Sequence, residues 1–545
     1  MMQINIGWSV SSKMRNIQLL LFCVFGTIKC QLYTNPFQLQ SLFMDFMELG
    51  QNVKSLTIDF KSKPKIVKNY DQFSLDIDGE MTEDKVLDTL VSNAVHVFQL
   101  VYSLRLLYQD MKIIETSEEN TQRITTKIRE MRSIKKWPTN EDLEGVILAL
   151  CKIQHTYRVS ILDLAKGIIG RHKTHAYLTS EDCFKIAQSQ MQPKIEFFAL
   201  AIEWAEAALT LCTLDDHDDD ITEFLKVVKS KHDKDIKSSV WKTHPGEKYF
   251  HTLTSNYSGV ELRMAEDEIN RFDLKKSGAT QKPSFYLLCN GMVPEPLNLN
   301  SCELRHNDDP WLKIGPIKTE LLQVEEDQFE LTLFHDFLGS QEINSIINIS
   351  QKMLDHAKVA LNAVEQKSNQ GLTKRARTQS VAWIDEDREV ITCEKISRRL
   401  EHLLKLDVAW EVDHHASEPY QVGVYSPGGY FGPHTDSVSS RPVEVNYKRQ
   451  METMGHYIGN RMATAMFYVS KTSCVVAKDA FIFYNLLQFS EVDEGKTVFR
   501  KGISVTPEKG SMLFWNNINH LGESIEQAWH TGCPTLYGIK WGKFF

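Results

Sequence analysis

The chain has 545 residues, 42% hydrophobic and 24% charged, and 62 Lys and Arg against 71 Asp and Glu give a net charge of −9. Those values exclude a collagen-like, low-complexity or wholly disordered polypeptide and indicate a globular protein of roughly three to four domains. The acidic balance excludes a generic binder of nucleic acid or other polyanions.

Lys13 and Arg15 precede an apolar run from Ile17 to Ile28. The run is too short for a spanning helix of roughly 20 residues, so residues 1–30 read as a secretory signal cleaved near Cys30 or Gln31. Met14 is a more usual start for such a signal than Met1. The expected product has no membrane span and lies in the endoplasmic reticulum lumen or beyond. Eight of the 10 cysteines remain after cleavage, an even number that allows one or two disulfides in an oxidising compartment. There, Asn256-Tyr257-Ser258 and Asn348-Ile349-Ser350 are candidate glycan acceptors.

From Pro36 to about Arg132 the spacing predicts helices, with stripes at Leu39, Leu42, Phe43, Phe46 and at Leu87, Val91, Val95, Phe98. A second helical block after Trp137-Pro138 has Asn140 as its expected N-cap, and Thr179 to Asp182 announces another start. An amphipathic helix is expected from about Lys194 to Leu211, carrying Phe197, Phe198 and Trp204. Asp215 to Asp220 reads as a solvated linker, since it lacks the Gly and Glu of a calcium loop. Beyond Asn290 the texture changes to short β-like runs: 329–333, 422–425, 463–469, 503–506, 512–515 and 535–541. Their turn-rich spacing predicts a β-barrel or sandwich.

The chemistry concentrates in Pro427-Gly428-Gly429-Tyr430-Phe431-Gly432-Pro433-His434-Thr435-Asp436. On an extended segment, residues two apart project to one side, so His434 and Asp436 can converge on one metal ion, with His456, His520 or His530 as the third ligand. Two histidines and one carboxylate on one face of an octahedral ion leave three positions open, as an Fe(II) oxygenase requires. Near the C-terminus, alternation along the expected strand puts Leu536, Gly538 and Lys540 on one face. A lysine directed into a barrel is costly without an anion, so a carboxylate partner is implied.

These residues resemble the alpha subunit of collagen prolyl 4-hydroxylase, a family of Fe(II)- and 2-oxoglutarate-dependent dioxygenases. The resemblance extends to Tyr425, to Gly459-Asn460-Arg461-Met462-Ala463-Thr464 before Phe467-Tyr468, to Thr497-Val498-Phe499, and to Lys509-Gly510-Ser511 before Phe514-Trp515. It also covers Asn140 to Gly167 and Leu178 to Phe184. It implies an α+β multidomain architecture. The parts would be a helical dimerisation region at 31–135, a tetratricopeptide-like peptide-binding domain at 136–275, a linker at 276–320 and a double-stranded β-helix, or jelly roll, at 321–545.

The resemblance implies His434, Asp436 and His530 as iron ligands, Lys540 and Tyr425 as the 2-oxoglutarate contacts, and L-ascorbate as reductant. It also implies a disulfide between Cys289 and Cys302, leaving Cys533 without its family partner, and places Phe197, Phe198 and Trp204 in an aromatic groove for proline-rich peptide. The expected activity is hydroxylation of C4 of proline in procollagen-like X-Pro-Gly sequences. The expected partner is protein disulfide isomerase as beta subunit of an α₂β₂ tetramer. The alternatives are a catalytically impaired peptide-binding subunit or an oxygenase for another secreted protein; a zinc hydrolase leaves Lys540 without a role. One departure from the family is a stretch of about 20 residues after Ser470, including Phe481-Ile482-Phe483. So apolar a stretch must pack over the site or be missing from the mature protein.

Overall fold

In the computed structural model, residues 35–237 and 301–544 are described with breaks, the longest at 77–88, 358–377, 438–459, 471–480 and 484–502; between the two stretches only Cys289 is described. The proposed signal, Phe197, Asn256 and His456 lie outside the described residues.

Asn35 opens the first helix by accepting the N–H groups of Phe37 and Gln38 on its side chain, with Pro36 at the first helical position. Among the described residues the N-terminal part holds nine helices: α1 Pro36–Lys54, α2 Lys63–Asp76, α3 Ala94–Glu115, α4 Gln122–Ser133, α5 Asn140–Tyr157, α6 Ile161–Ala165, α7 Ser180–Ser189, α8 Phe198–Thr210 and α9 Asp218–Lys237. Helix α3 is apolar on nearly every side and is accordingly buried along most of its length. A polar layer in its middle is hydrogen-bonded: Gln99 donates to Gln72 and to the Tyr177 carbonyl, and Asn69 donates to Ser103.

Two local expectations are corrected. Helix α5 is capped by Thr139, not Asn140: the Thr139 hydroxyl accepts from Asp142 N–H while the Asp142 carboxylate accepts from Thr139 N–H, a reciprocal pair that satisfies two free donors. Asn140 is instead the first helical residue and accepts from Arg105. The acidic run is not all linker, because Asp218, Asp219 and Asp220 form the first turn of α9, where carboxylates favour the positive end of the helix dipole. Thr179, by contrast, caps α7 with Asp182 as the sequence indicates.

Among the described residues the C-terminal part holds three further helices, α10 Pro310–Ile314, α11 Ser340–Ser350 and α12 Val390–Leu404, and two main sheets. Strands are β1 Ser301–Arg305, β2 Ile317–Glu325, β3 Phe329–Phe334, β4 Asp355–His356, β5 Ser380–Ile384, β6 Tyr420–Tyr425 and β7 Phe431–His434. Beyond them come β8 Ala463–Tyr468, β9 Phe481–Phe483, β10 Ile503–Val505, β11 Met512–Asn516, β12 His530–Gly532 and β13 Lys540–Phe544. The larger sheet is antiparallel with order β1-β2-β3-β11-β8-β13-β6-β5-β4, and the smaller has order β7-β12-β9-β10. Asn348, the described glycan candidate, is exposed in the last turn of α11.

The expected strand over 535–541 is shorter than its pattern: it begins at Lys540. Contacts with the helices hold the preceding residues out of the sheet. Pro534 O accepts from the Tyr157 hydroxyl, Tyr537 stacks on His172 with ring centroids 3.9 Å apart, and Gly538, at φ +92°, donates to Ser92 O. The same helical surface meets Gly428: with φ +74°, a Cβ there would lie 2.6 Å from Ala149 Cβ, so only glycine fits. The helical core therefore runs into this loop and includes Cys533 and Leu536.

The disulfide is also corrected. Cys289 pairs with Cys533, across 244 residues of sequence, whereas Cys302 is an exposed thiol on β1, opposite Glu320 of β2. Closeness in sequence favours Cys302, but Cys289 is buried in the helical core together with Cys533. In the chain-entropy account, so long a loop stabilises by up to about 5 kcal/mol. A non-reduced digest is expected to yield the Cys289–Cys533 linked peptide and an alkylated Cys302; a Cys289–Cys302 peptide would contradict this pairing.

Candidate metal centre

Strand β7 pairs with β12 so that His434 lies opposite His530, with a register irregularity between Phe431 and His434. The irregularity lies just before His434, and Asp436 follows two residues later. The three side chains meet: one ligand atom from each of His434, Asp436 and His530 lies within 4.8 Å of the others. His434 Nε2 is 3.6 Å from Asp436 Oδ1 and His530 Nε2 is 3.6 Å from Asp436 Oδ2. Bonds of about 2.0–2.2 Å to a shared ion leave neighbouring donors at comparable separations.

The tautomers follow from the backbone. His434 Nδ1–H donates to Gly432 O at 2.8 Å and His530 Nδ1–H to Ala528 O at 2.8 Å; a carbonyl can only accept, so both Nε2 lone pairs remain for a cation. Phe431 stacks on His434 with centroids 3.6 Å apart, and Trp515 packs edge-on against His530 at 4.9 Å. Two neutral imidazoles and one carboxylate are a donor set suited to a divalent first-row metal.

Electrostatics keep the set ready for a metal. Burial opposes charge on Asp436, but the facing His530, the adjacent His434 and the Arg461 guanidinium outweigh it and hold the carboxyl well below its usual range. Arg461 is itself held by Glu418 through two hydrogen bonds. Burial and the neighbouring His434 push His530 down from 6.5 to about 4. The metal-free fold thus binds fewer protons here than the unfolded chain, so stability is intact above pH 6.5 and falls as pH drops towards 4. The urea midpoint of metal-free protein is expected to fall more steeply across this window in wild type than in His530→Gln. Equal slopes would mean that His530 takes up its proton without opposing the fold.

Lys540 is 4% exposed and pairs in register with Tyr425 across β6 and β13; its Nζ lies 5.5 Å from the Tyr425 ring centroid. A Cβ added at Gly532 would lie 4.0 Å from this Nζ, so the ammonium reaches the strand of His530, two residues beyond it. The inward direction inferred from alternation is right, although residues 535–539 are not strand. Phe481–Phe483 form β9, with Phe483 opposite His530, so this part of the extra stretch is built into the site's sheet. His520 is exposed in a turn, outside the cluster, and His414 and His415 lie in a separate short hairpin with Trp410–Glu411.

Two aromatic expectations are corrected. Phe198 and Trp204 are 2% and 0% exposed in the helical core, Phe198 against His232, so they present no groove to a peptide. A helix whose apolar stripe includes them buries that stripe first. Thr464 and Asn517, to which the sequence attaches no role, reach the centre by hydrogen bonds: Thr464 donates to Asp436 Oδ2 at 2.8 Å and accepts from Asn517 Nδ2. The only available signal was the register of two strands, and a single sequence does not display it.

A family profile described as "Prolyl 4-Hydroxylase alpha-subunit, N-terminal region" matches residues 46–171. Prolyl 4-hydroxylase subunit alpha-2 of Caenorhabditis elegans is 27% identical over 473 residues, covering 83% of this chain and 79% of that protein. Human prolyl 4-hydroxylase subunit alpha-1 is 25% identical over 435 residues, covering 74% and 73%. Among solved structures, a viral collagen prolyl hydroxylase from Paramecium bursaria Chlorella virus-1, as its 2OG complex, is 18% identical and covers 39% of this chain and 93% of that one, with a TM-score of 0.25, too low to argue from. The profile over residues 46–171 and the relatives over most of the chain agree: the chain is similar to prolyl 4-hydroxylase alpha subunits.

Proposed function

We propose that the chain is the catalytic alpha subunit of a procollagen-proline 4-dioxygenase, hydroxylating C4 of proline in X-Pro-Gly sequences with Fe(II), 2-oxoglutarate and O₂. One observation carries this reading: a two-histidine, one-carboxylate donor set and the buried ammonium of Lys540 share the same sheet pair. A hydrolytic metal centre has no need of that buried cation. A 2-oxo acid with a second carboxylate uses it directly.

In this reading His434, Asp436 and His530 hold the iron through both Nε2 atoms and the carboxylate. Bound iron supplies the redox chemistry that couples conversion of 2-oxoglutarate to succinate and CO₂ with oxygen transfer to the proline ring. The remaining work belongs to the chain. Lys540 neutralises the distal carboxylate of the co-substrate, with the Tyr425 hydroxyl as a second donor. Phe431 and Trp515 cover the ligand rings and keep water from them. L-Ascorbate would be the accompanying reductant.

The two sheets correspond, in this reading, to the halves of a double-stranded β-helix, and α5 to α9 to the tetratricopeptide-like domain. Proline-rich substrate arrives as a preformed polyproline helix. Family likeness supports protein disulfide isomerase as beta subunit of an α₂β₂ tetramer, and the apolar N-terminal run supports the endoplasmic reticulum lumen as the compartment. The test is Fe(II)-dependent succinate formation by the chain purified with protein disulfide isomerase, with mass spectrometry of a Pro-Pro-Gly repeat peptide. Succinate together with hydroxyproline supports the proposal. Peptide binding without succinate would mean a non-catalytic subunit, and succinate without peptide oxidation another target.

A further inference from the structure

Thr464 on β8 and Trp515 on β11 are direct register partners, and both are buried, at 5% and 0% exposure. Between them and Asp436 runs an unbroken series of hydrogen bonds. Trp515 Nε1–H donates to Asn517 Oδ1 at 2.9 Å, Asn517 Nδ2–H donates to Thr464 Oγ1 at 2.7 Å, and Thr464 Oγ1–H donates to Asp436 Oδ2 at 2.8 Å. The direction of the series is fixed at its far end. An indole N–H can only donate, so the Asn517 amide must turn its oxygen towards Trp515 and its NH₂ towards Thr464. The Thr464 oxygen is thereby an acceptor, and its single proton is left for Asp436. Asn517 cannot drift, because it is fully buried and its main chain is held by Met462 O and by Ile525 N–H at 2.8 and 2.9 Å.

We infer that Trp515, Asn517 and Thr464 are positioning residues that reserve one oxygen of Asp436, leaving Oδ1 as the oxygen offered to the metal. The inference rests on the proposed metal centre. Its chemical purpose is to prevent the carboxylate from binding through both oxygens, which would fill a position the co-substrate or O₂ needs. Trp515 braces two ligands at once, since its ring also packs on His530. Partners of this kind outside the ligand set typically change metal affinity 10- to 100-fold when removed.

The test uses Co(II) as a spectroscopic probe on the full metal-free protein, with affinity from calorimetry and geometry from visible absorption. Thr464→Val keeps the side-chain shape but loses the hydroxyl; it is expected to weaken Co(II) binding by about 10- to 100-fold and to alter the absorption bands. Thr464→Ser restores the donor and is expected to return both affinity and spectrum close to wild type. Trp515→Phe retains a ring against His530 but frees the Asn517 amide to turn, so a smaller loss in the same direction is expected; it supplies a second reading where Thr464→Val does not fold. Wild-type affinity and spectrum in Thr464→Val, or in Trp515→Phe when that variant stands alone, would overturn the relay while leaving the metal centre standing. Wild-type protein that binds no Co(II), or binds it unchanged in His434→Ala, would overturn the metal centre itself and the relay with it.

Discussion

Alanine at His530 is expected to reduce succinate formation and peptide hydroxylation to the background of the assay. The imidazole is fully buried and its Nδ1–H is committed to Ala528 O, and among the described residues the cluster holds no fourth His, Cys or carboxylate to replace Nε2. Removing one of three protein ligands loosens the ion and admits water to its coordination sphere. His434→Ala and Asp436→Ala are expected to do the same. His520→Ala is the control, because that residue is exposed in a turn and takes no part in the cluster. Activity retained in His530→Ala and lost in His520→Ala would reverse the assignment.

Lys540→Ala is expected to raise the 2-oxoglutarate concentration for half-saturation by roughly 10- to 150-fold, the equivalent of about 1.5–3 kcal/mol for a charge-assisted hydrogen bond. Co(II) affinity should change far less, since the ammonium lies against Gly532 and Tyr425 rather than among the three ligands. Lys540→Arg keeps the charge but replaces a compact ammonium with a planar fork, which must fit the space that Gly532 leaves open, and only part of the loss should be recovered. Succinate formation against 2-oxoglutarate at saturating iron and peptide decides the matter. An unchanged half-saturation in Lys540→Ala would reduce Lys540 to a structural lysine.

The residues of the cluster are legible because their order along the chain is simple: His434 ends a strand, Asp436 follows two residues later, and His530 begins another strand. The helical stripes were legible for the same reason, as with Leu39, Leu42, Phe43 and Phe46, all buried in α1. Contacts between distant segments were not. The Cys289–Cys533 link, the Tyr157–Pro534 contact and the Thr464–Asp436 hydrogen bond join positions 244, 377 and 28 residues apart, and no local spacing encodes them. Alternation over 535–541 does not display the helical surface that holds residues 535–539 out of the sheet. Aromatic spacing does not separate a groove from a core, and Phe198 and Trp204 go to the core.

The position of β13 has a consequence for how the protein is made. This strand, last in chain order among those described, lies in the middle of the larger sheet between β8 and β6, joined to Met466–Tyr468 on one side and Gln421–Tyr425 on the other. During synthesis those two strands have emerged long before the one that belongs between them. Until it arrives, each carries an open row of backbone donors and acceptors, the condition in which nascent sheets pair wrongly and aggregate. Closure depends on contacts across more than a hundred residues on the β6 side, which makes it slow relative to the helices. Lys540 is the first residue of β13, so the site gains its cation in the step that seals the sheet. Helices formed early in synthesis therefore precede the strand that carries the buried ammonium.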